Sequence, residues 1–349
     1  MRHSFSDIII RWYAHHKRDL PWRTTKNPYR VWLSEIILQQ TRVAQGLPYF
    51  RAFTSQFPTV QDLANASEQE VLKLWQGLGY YSRARNLHTT AQYIVAELNG
   101  VFPRTYQELL QLKGVGDYTA SAIASFCYNE VTATVDGNVY RVLARFFGIT
   151  TPVNSALAKK EFKQLAQTLI DVSRPAVFNQ AIMEFGALQC TPQLPDCDSC
   201  PLSHACVALQ QNKVNLLPKK DRKIKIRKRY FNYLVLLTDA GETVMQQRIG
   251  KGIWQNLYEF PLIETPDEIQ VKELLQEPSF VKFVNGQDFS IQLLNPKTTV
   301  HKLSHQHLYI KFWLIKLQKW EGNTISWKQA LHLPSPIVIH TFIENFKKN

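Results

Sequence analysis

Four of the chain's five cysteines fall within 17 positions, at Cys190, Cys197, Cys200 and Cys206. The fifth, Cys127, stands apart and reads as a small buried apolar side chain. The spacing C-x6-C-x2-C-x5-C, with Pro192, Pro195 and Pro201 holding the intervening loops extended, is too sparse for a disulfide framework in a chain of 349 residues. It speaks for a metal instead. Four thiolates gathered so closely can enclose one compact centre, either zinc or a 4Fe-4S cluster. Zinc sites more often use two short C-x2-C knuckles, and the asymmetric spacing favours the iron–sulfur cluster.

Two carboxylates have sequence surroundings that push them in opposite directions. Glu35 lies between Leu33-Ser34 and Ile36-Ile37-Leu38, and its helical neighbours include Val31, Trp32 and Leu38. Burial there would favour the protonated acid, although a glutamate on the helix surface would carry the same sequence. Asp136 follows Val131–Val135 and precedes Gly137-Asn138-Val139, the pattern of a helix N-cap. A carboxylate held at a helix N-terminus is expected to stay ionised at neutral pH and so to be able to face a developing cation. Carboxylates with such opposed environments are what acid-catalysed cleavage of a glycosidic bond requires.

Other segments suit contact with nucleic acid. Leu112-Lys113-Gly114-Val115-Gly116-Asp117-Tyr118 sits between two helical patterns. It is either a plain helix–helix turn or a hairpin that aims backbone N–H groups and a helix N-terminus at a phosphate. Aromatic and basic residues interleave in Leu20-Pro21-Trp22-Arg23 and in Gly77–Arg85, a combination that stacks on bases and contacts phosphates.

These residues must be carried by elements that the apolar periodicity locates. Asn27-Pro28 is a cap followed by proline at the first helical position, opening a helix through Ile37. Further helices are predicted near 5–17, 41–55, 67–76, 82–98, 105–112, 117–128, 137–147, 155–171 and 174–187. Residues 1–212 are therefore mainly helical. Strand-like runs follow at Tyr230–Thr238, Thr243–Arg248, Val300–Leu303 and Leu308–Leu317, which makes residues 230–349 an α+β domain. Between them, residues 213–229 hold nine Lys/Arg against one Asp, over half of the formal net charge of +13. This run is either a solvated linker or a phosphate-binding bridge.

In this order the motifs resemble the MutY-type adenine DNA glycosylases of the helix-hairpin-helix superfamily. The likeness runs through Leu20–Arg23, Leu33–Thr41, Gly77–Tyr81, Gly114–Gly116, Val135–Val139 and the four cysteines. It implies a multi-domain protein: an all-α helix-hairpin-helix glycosylase domain with an iron–sulfur loop, then a Nudix-like α+β domain whose clearest signature is Gly252–Pro261. It implies removal of adenine mispaired with 8-oxoguanine or guanine, after the base is flipped from the duplex. By the same likeness Glu35 protonates the base, Asp136 stabilises the sugar cation, and Tyr118 and Asn138 support them. Trp22, Arg23, Leu38 and Gln180 match the adenine pocket, and Gln40 and Tyr80 the residues that wedge into DNA. Gly114 and Gly116 form the phosphate-binding hairpin, and Cys190, Cys197, Cys200 and Cys206 hold a 4Fe-4S cluster. The related endonuclease III lineage carries a lysine where this chain has Tyr118, so a monofunctional enzyme is implied. The family's Phe-Ser-His loop is Leu303-Ser304-His305 here.

Alternatives remain at this level: a pyrimidine glycosylase of the endonuclease III lineage, an inactive iron–sulfur module that binds damaged DNA, and a Nudix pyrophosphatase. The last lacks the acidic R-E-x-x-E-E helix after Pro261. No run approaches the roughly 20 apolar residues that cross a bilayer, and the N-terminus has no signal-peptide core. A cytoplasmic, nucleoid-associated monomer without a membrane partner is expected.

Overall fold

The computed structural model of the protein describes residues 2–221, 226–317 and 320–346. They gather into two compact units, Met1–Asn65 with Asn86–Arg222 and Ala66–Arg85 with Lys223–Asn349.

The first unit is helical. Its elements are α1 (Arg2–His16), α2 (Pro28–Leu38), α3 (Val43–Gln56) and α4 (Val60–Asn65). After α5 (Glu68–Leu74), which belongs to the second unit, come α6 (Ser82–Glu97), α7 (Tyr106–Leu109), α8 (Asp117–Tyr128), α9 (Gly137–Phe147), α10 (Ala156–Leu169), α11 (Pro175–Leu188) and α12 (Val207–Gln210). Asn27 starts α2 as its sequence predicts, accepting from Arg30 N at 3.2 Å with Pro28 in the first turn. Apart from Arg30, every residue from Tyr29 to Ile37 is buried, so α2 runs through the interior rather than over it. α8 is buried without a break from Thr119 to Cys127. α1, α9, α10 and α11 close a core around Ile9, Val142, Phe162, Phe178 and Phe185.

Between α7 and α8 the chain turns sharply, and Gly114 has φ +78° with Asn86 against it. A Cβ at Gly114 would stand 2.8 Å from that of Asn86, so both the backbone conformation and the space demand glycine.

The second unit has a mixed sheet in the order β4 (Leu262–Thr265), β1 (Arg227–Leu237), β7 (Gln306–Leu317), β5 (Phe289–Leu293), with β6 (Thr299–Lys302) also on β7. β1 and β7 run parallel with Tyr233 opposite Phe312, and the outer pairings are antiparallel. Side chains alternate across β7. Trp313 and Ile315 pack with Phe280 of α14 (Pro278–Val284), which follows the short α13 (Val271–Leu274). Phe312 stacks on Phe342 of α16 (Ile337–Phe346) at 4.0 Å. α15 (Trp327–His332) and a two-residue ribbon, β2 (Gln246–Gln247) with β3 (Tyr258–Glu259), complete the unit.

The structure departs from the sequence expectation in several places. Ala66–Arg85 groups with the second unit rather than with residues 1–212. Polar contacts explain why: Glu68 accepts from Asn256 at 2.6 Å, Lys73 donates to Leu331 O at 2.5 Å, and Arg85 donates to Gln255 O at 2.9 Å. The basic run 213–229 is not one uniform linker. Its first part is tied to the helical unit through Arg145, which donates to Val214 O and Leu217 O, and its last residues open β1; residues 222–225 lie outside the described residues. Of Thr243–Arg248 only Gln246–Gln247 forms a strand, because Thr243 makes just a single bridge to Ile325. The helix expected over 105–112 is the single turn Tyr106–Leu109. Among the described residues no helix is long and apolar enough to cross a membrane.

Candidate active site

A cavity of about 170 Å3 opens inside the helical unit, comparable to the ~150 Å3 that accepts a benzene ring. Glu35, Asp136, Tyr118, Asn138, Trp22, Arg23, Leu38 and Gln180 all line it, although they come from widely separated parts of the chain. Five elements or their flanks supply them. Trp22 and Arg23 lie on the turn after α1, Glu35 and Leu38 on α2, and Tyr118 in the first turn of α8. Asp136 and Asn138 stand at the start of α9, and Gln180 lies on α11.

Glu35 is only 6 % exposed. Burial raises its pKa to about 7, helped by the Asp136 charge and opposed by the Tyr118 hydrogen bond and Arg23. The Tyr118 hydroxyl donates to Glu35 Oε2 at 2.7 Å. Burial and the neighbouring carboxylates push the Tyr118 phenol well up, so it is a neutral donor. When Glu35 is protonated while Oε2 accepts from Tyr118, its own proton sits on Oε1, available for transfer.

Asp136 caps α9 through three donors. Its Oδ1 accepts from Asn138 N at 2.9 Å and Val139 N at 2.8 Å, and Oδ2 accepts from Asn138 Nδ2 at 2.7 Å. Burial raises the Asp136 pKa above its ordinary value, opposed by these cap bonds and by Arg141. Three donors aimed at the two oxygens suit the acceptor-only anion.

Asn138 in turn accepts from Arg141 Nη2 at 2.8 Å. Its close approach to α11 depends on Gly186, where a Cβ would stand 2.7 Å from Asn138 Cβ.

Two charged residues of the cavity lining, Glu184 and Arg18, escaped the sequence reading. Glu184 is 1 % exposed, and Arg18 and Arg23 both clasp its carboxylate, with contacts of 2.6 and 2.7 Å. Burial alone would raise the Glu184 pKa, but the bonds from Arg18 and Arg23 hold it down to about 2. The signal was present: Glu184 is the one acidic residue in Pro175–Leu188, four positions after Gln180 and hence on its face. The Gln180 carbonyl accepts from Tyr13 Oη at 2.8 Å.

Elsewhere in the helical unit, Gln40 is exposed with φ +55°. No side chain caps the α8 N-terminus at Gly116, so its first N–H groups remain available to an anion. Cys190, Cys197, Cys200 and Cys206 line one small cavity, with Arg145 Nη1 3.4 Å from Cys190 Sγ. Among the described residues no three His, Cys, Asp or Glu side chains are grouped so as to hold a metal ion.

In the second unit Tyr80, Leu303, Ser304 and His305 line a cavity of about 950 Å3 together with Arg229 and Trp254. Tyr80 is 43 % exposed at φ +48°. Arg83 lies over the Tyr80 and Trp75 rings, and Ser304 Oγ is 2.9 Å from His305 Nδ1. Gln40 and Tyr80 are two of nine described non-glycine residues with positive φ, so their backbone alone does not set them apart.

Known proteins share this architecture. Residues 33–168 match the HhH-GPD superfamily of base excision DNA repair proteins, and residues 232–345 match the NUDIX domain. An adenine DNA glycosylase of Buchnera aphidicola subsp. Baizongia pistaciae is 35 % identical over 98 % of this chain and 97 % of its own length. That of Homo sapiens is 48 % identical over 60 % of this chain and 40 % of its own length. Among solved structures, a thermostable thymine-DNA glycosylase superposes on 60 % of the chain and 97 % of its own length, with a TM-score of 0.56 and 29 % identity. With a relative aligned over almost its full length, and with an acid and a carboxylate facing one ring-sized cavity, the chain belongs to the adenine DNA glycosylases, base excision repair enzymes that hydrolyse an N-glycosyl bond.

Proposed function

We propose that this adenine DNA glycosylase acts on adenine paired with 8-oxoguanine or guanine in duplex DNA, as a monofunctional enzyme with Glu35 and Asp136 as its catalytic pair. The observation that carries the reading is their shared cavity, where burial lifts Glu35 to about pH 7 while three donors converge on Asp136. Adenine flips from the stack and enters the cavity between Trp22, Leu38 and Gln180. Glu35 donates its Oε1 proton to N7. The C1′–N9 bond then breaks with its electron pair moving into the base, which leaves neutral. Asp136 faces the oxocarbenium ion that remains, stabilised by Asn138. Glu35, now a carboxylate, takes a proton from the water that adds to C1′. Tyr118 stands where a lysine would form a Schiff base, so the strand is not cut.

Gln40 and Tyr80 each serve as a residue that wedges into the duplex, and the α8 N-terminus with Gly114 and Gly116 takes a backbone phosphate. Leu303-Ser304-His305 reads the opposite base, because 8-oxoguanine differs from guanine by a C8 carbonyl and an N7–H donor that a hydroxyl and an imidazole can bond. Cys190, Cys197, Cys200 and Cys206 fit a 4Fe-4S cluster. They line one small cavity, and the Arg145 guanidinium donates to Cys190 Sγ at 3.4 Å. Such a cluster would give the loop a four-point tie. The enzyme works as a monomer on cytoplasmic, nucleoid DNA.

The test is excision from duplexes carrying adenine opposite 8-oxoguanine, adenine opposite guanine, or thymine glycol. Alkali-dependent cleavage of only the adenine strands is expected, with 8-oxoguanine preferred and that preference reduced in Ser304→Ala/His305→Ala at matched folded fraction. Each lost bond should cost about 1–3 kcal/mol of discrimination. Cleavage at thymine glycol, nicking without alkali, or an unchanged ratio in the double variant would contradict the corresponding part of the reading.

A further inference from the structure

Residues 131–135, which carry the chain into Asp136, form no strand of either sheet and no helix. A buried extended segment must nevertheless satisfy its peptide groups. Here side chains do so. Gln167 Nε2 donates to Val131 O at 2.8 Å while its Oε1 accepts from Ala133 N at 2.9 Å. Lys163 Nζ donates to Ala133 O at 2.7 Å. Asn179 Nδ2 donates to Thr132 O at 2.9 Å, and its Oδ1 accepts from Thr134 N at 2.9 Å. Lys163 and Gln167 stand four residues apart on α10 and so share a face, and Asn179 comes from α11. Together they bond consecutive peptide groups as a neighbouring strand would, with side chains in place of backbone.

We propose that Lys163, Gln167 and Asn179 are positioning residues that set the register of residues 131–134, and thereby place the Asp136 carboxylate against the reacting sugar. The inference rests on the role given above to Asp136. Asn179 is completely buried, and its Nδ2 also reaches Ser125 Oγ of α8 at 2.9 Å. Lys163 is anchored by Ser121 Oγ at 2.7 Å and Asp117 Oδ1 at 3.2 Å, both on α8. The same side chains therefore tie the segment before Asp136 to the helix that carries Tyr118. Any shift of the segment along its axis would break all five of these bonds together. None of the three lines the active-site cavity. Their effect must pass through the backbone.

The experiment compares wild type with Gln167→Met, Gln167→Glu and Lys163→Met/Gln167→Met on a duplex carrying adenine opposite 8-oxoguanine. Single-turnover excision per titrated active site and duplex Kd are measured separately. Gln167 is solvent-exposed, so its single variants fold even where the double variant does not. Gln167→Met should lower the single-turnover rate constant about tenfold, since a misplacement of ~1 Å can cost ~100-fold, with Kd within about twofold of wild type. Gln167→Glu, which keeps the acceptor for Ala133 N, should fall between the two. A role confined to stability would reduce the active fraction and leave the rate per active site unchanged; that result, or a Kd that weakens in step with the rate, would overturn the proposal. Asp136→Asn serves as control. If it excises normally the catalytic assignment fails, whereas an inert Asp136→Asn beside an unaffected Gln167→Met would reject only the positioning role.

Discussion

At the scale of single residues, three carboxyl groups line one cavity in different surroundings. Glu184 is held low by two arginines, Asp136 accepts from three donors, and Glu35 accepts from Tyr118. In the proposed mechanism the acid is the protonated form of Glu35, so excision should be level below about pH 7 and fall roughly tenfold per pH unit above it. Tyr118→Phe makes the sign testable. The Tyr118 bond favours the Glu35 anion, so losing it raises the Glu35 pKa and moves the alkaline limb of the single-turnover profile to higher pH. A limb that moves down or stays fixed would show that another group controls it. Much of this pair was legible in the sequence: the apolar flanks of Glu35 announced a raised acid, and Asp136-Gly137-Asn138 announced a cap. The net direction at Asp136 was not, because the burial that outweighs the cap comes from elements distant in sequence.

At the scale of elements, local signals held wherever they were local. Asn27-Pro28, Asp136-Gly137 and Pro175 open helices because cap and proline chemistry is decided within a turn. The Thr243–Arg248 strand shrank to two residues, and β4 and β5 went unseen, because short strands acquire their definition from partners, here β1 and β7. Val131–Val135 belongs to no helix or strand, and the side chains of Lys163, Gln167 and Asn179 bond its peptide groups instead. The cysteine loop after α11 carries its own prediction. Protein purified without oxygen should contain about four irons per chain and little zinc. Cys206→Ser should lose iron and destabilise the loop, which iron analysis and thermal melting would register. Stoichiometric zinc in place of iron would reject the cluster.

At the scale of the whole molecule, the order of motifs along the chain conveyed more than any one of them, and both family matches fall where the helical and mixed-sheet regions lie. The sequence read a boundary in the basic run, and the two units do divide within it; the fold in addition gathers Ala66–Arg85 with the second unit, since Glu68, Lys73 and Arg85 bond to groups near Asn256 and Leu331 that no local pattern foretells. Tyr80 and Ser304 therefore come to line one cavity although more than 200 residues separate them. The central claim is that adenine leaves because Glu35 and Asp136 act on it together. Its most direct test is single-turnover adenine excision by Glu35→Gln and Asp136→Asn under enzyme excess, with duplex binding measured in parallel. The account predicts that each variant loses at least about a hundredfold in excision rate, as removal of a general acid or an electrostatic stabiliser does, while binding the duplex as wild type does. Near-normal excision by either variant would contradict it.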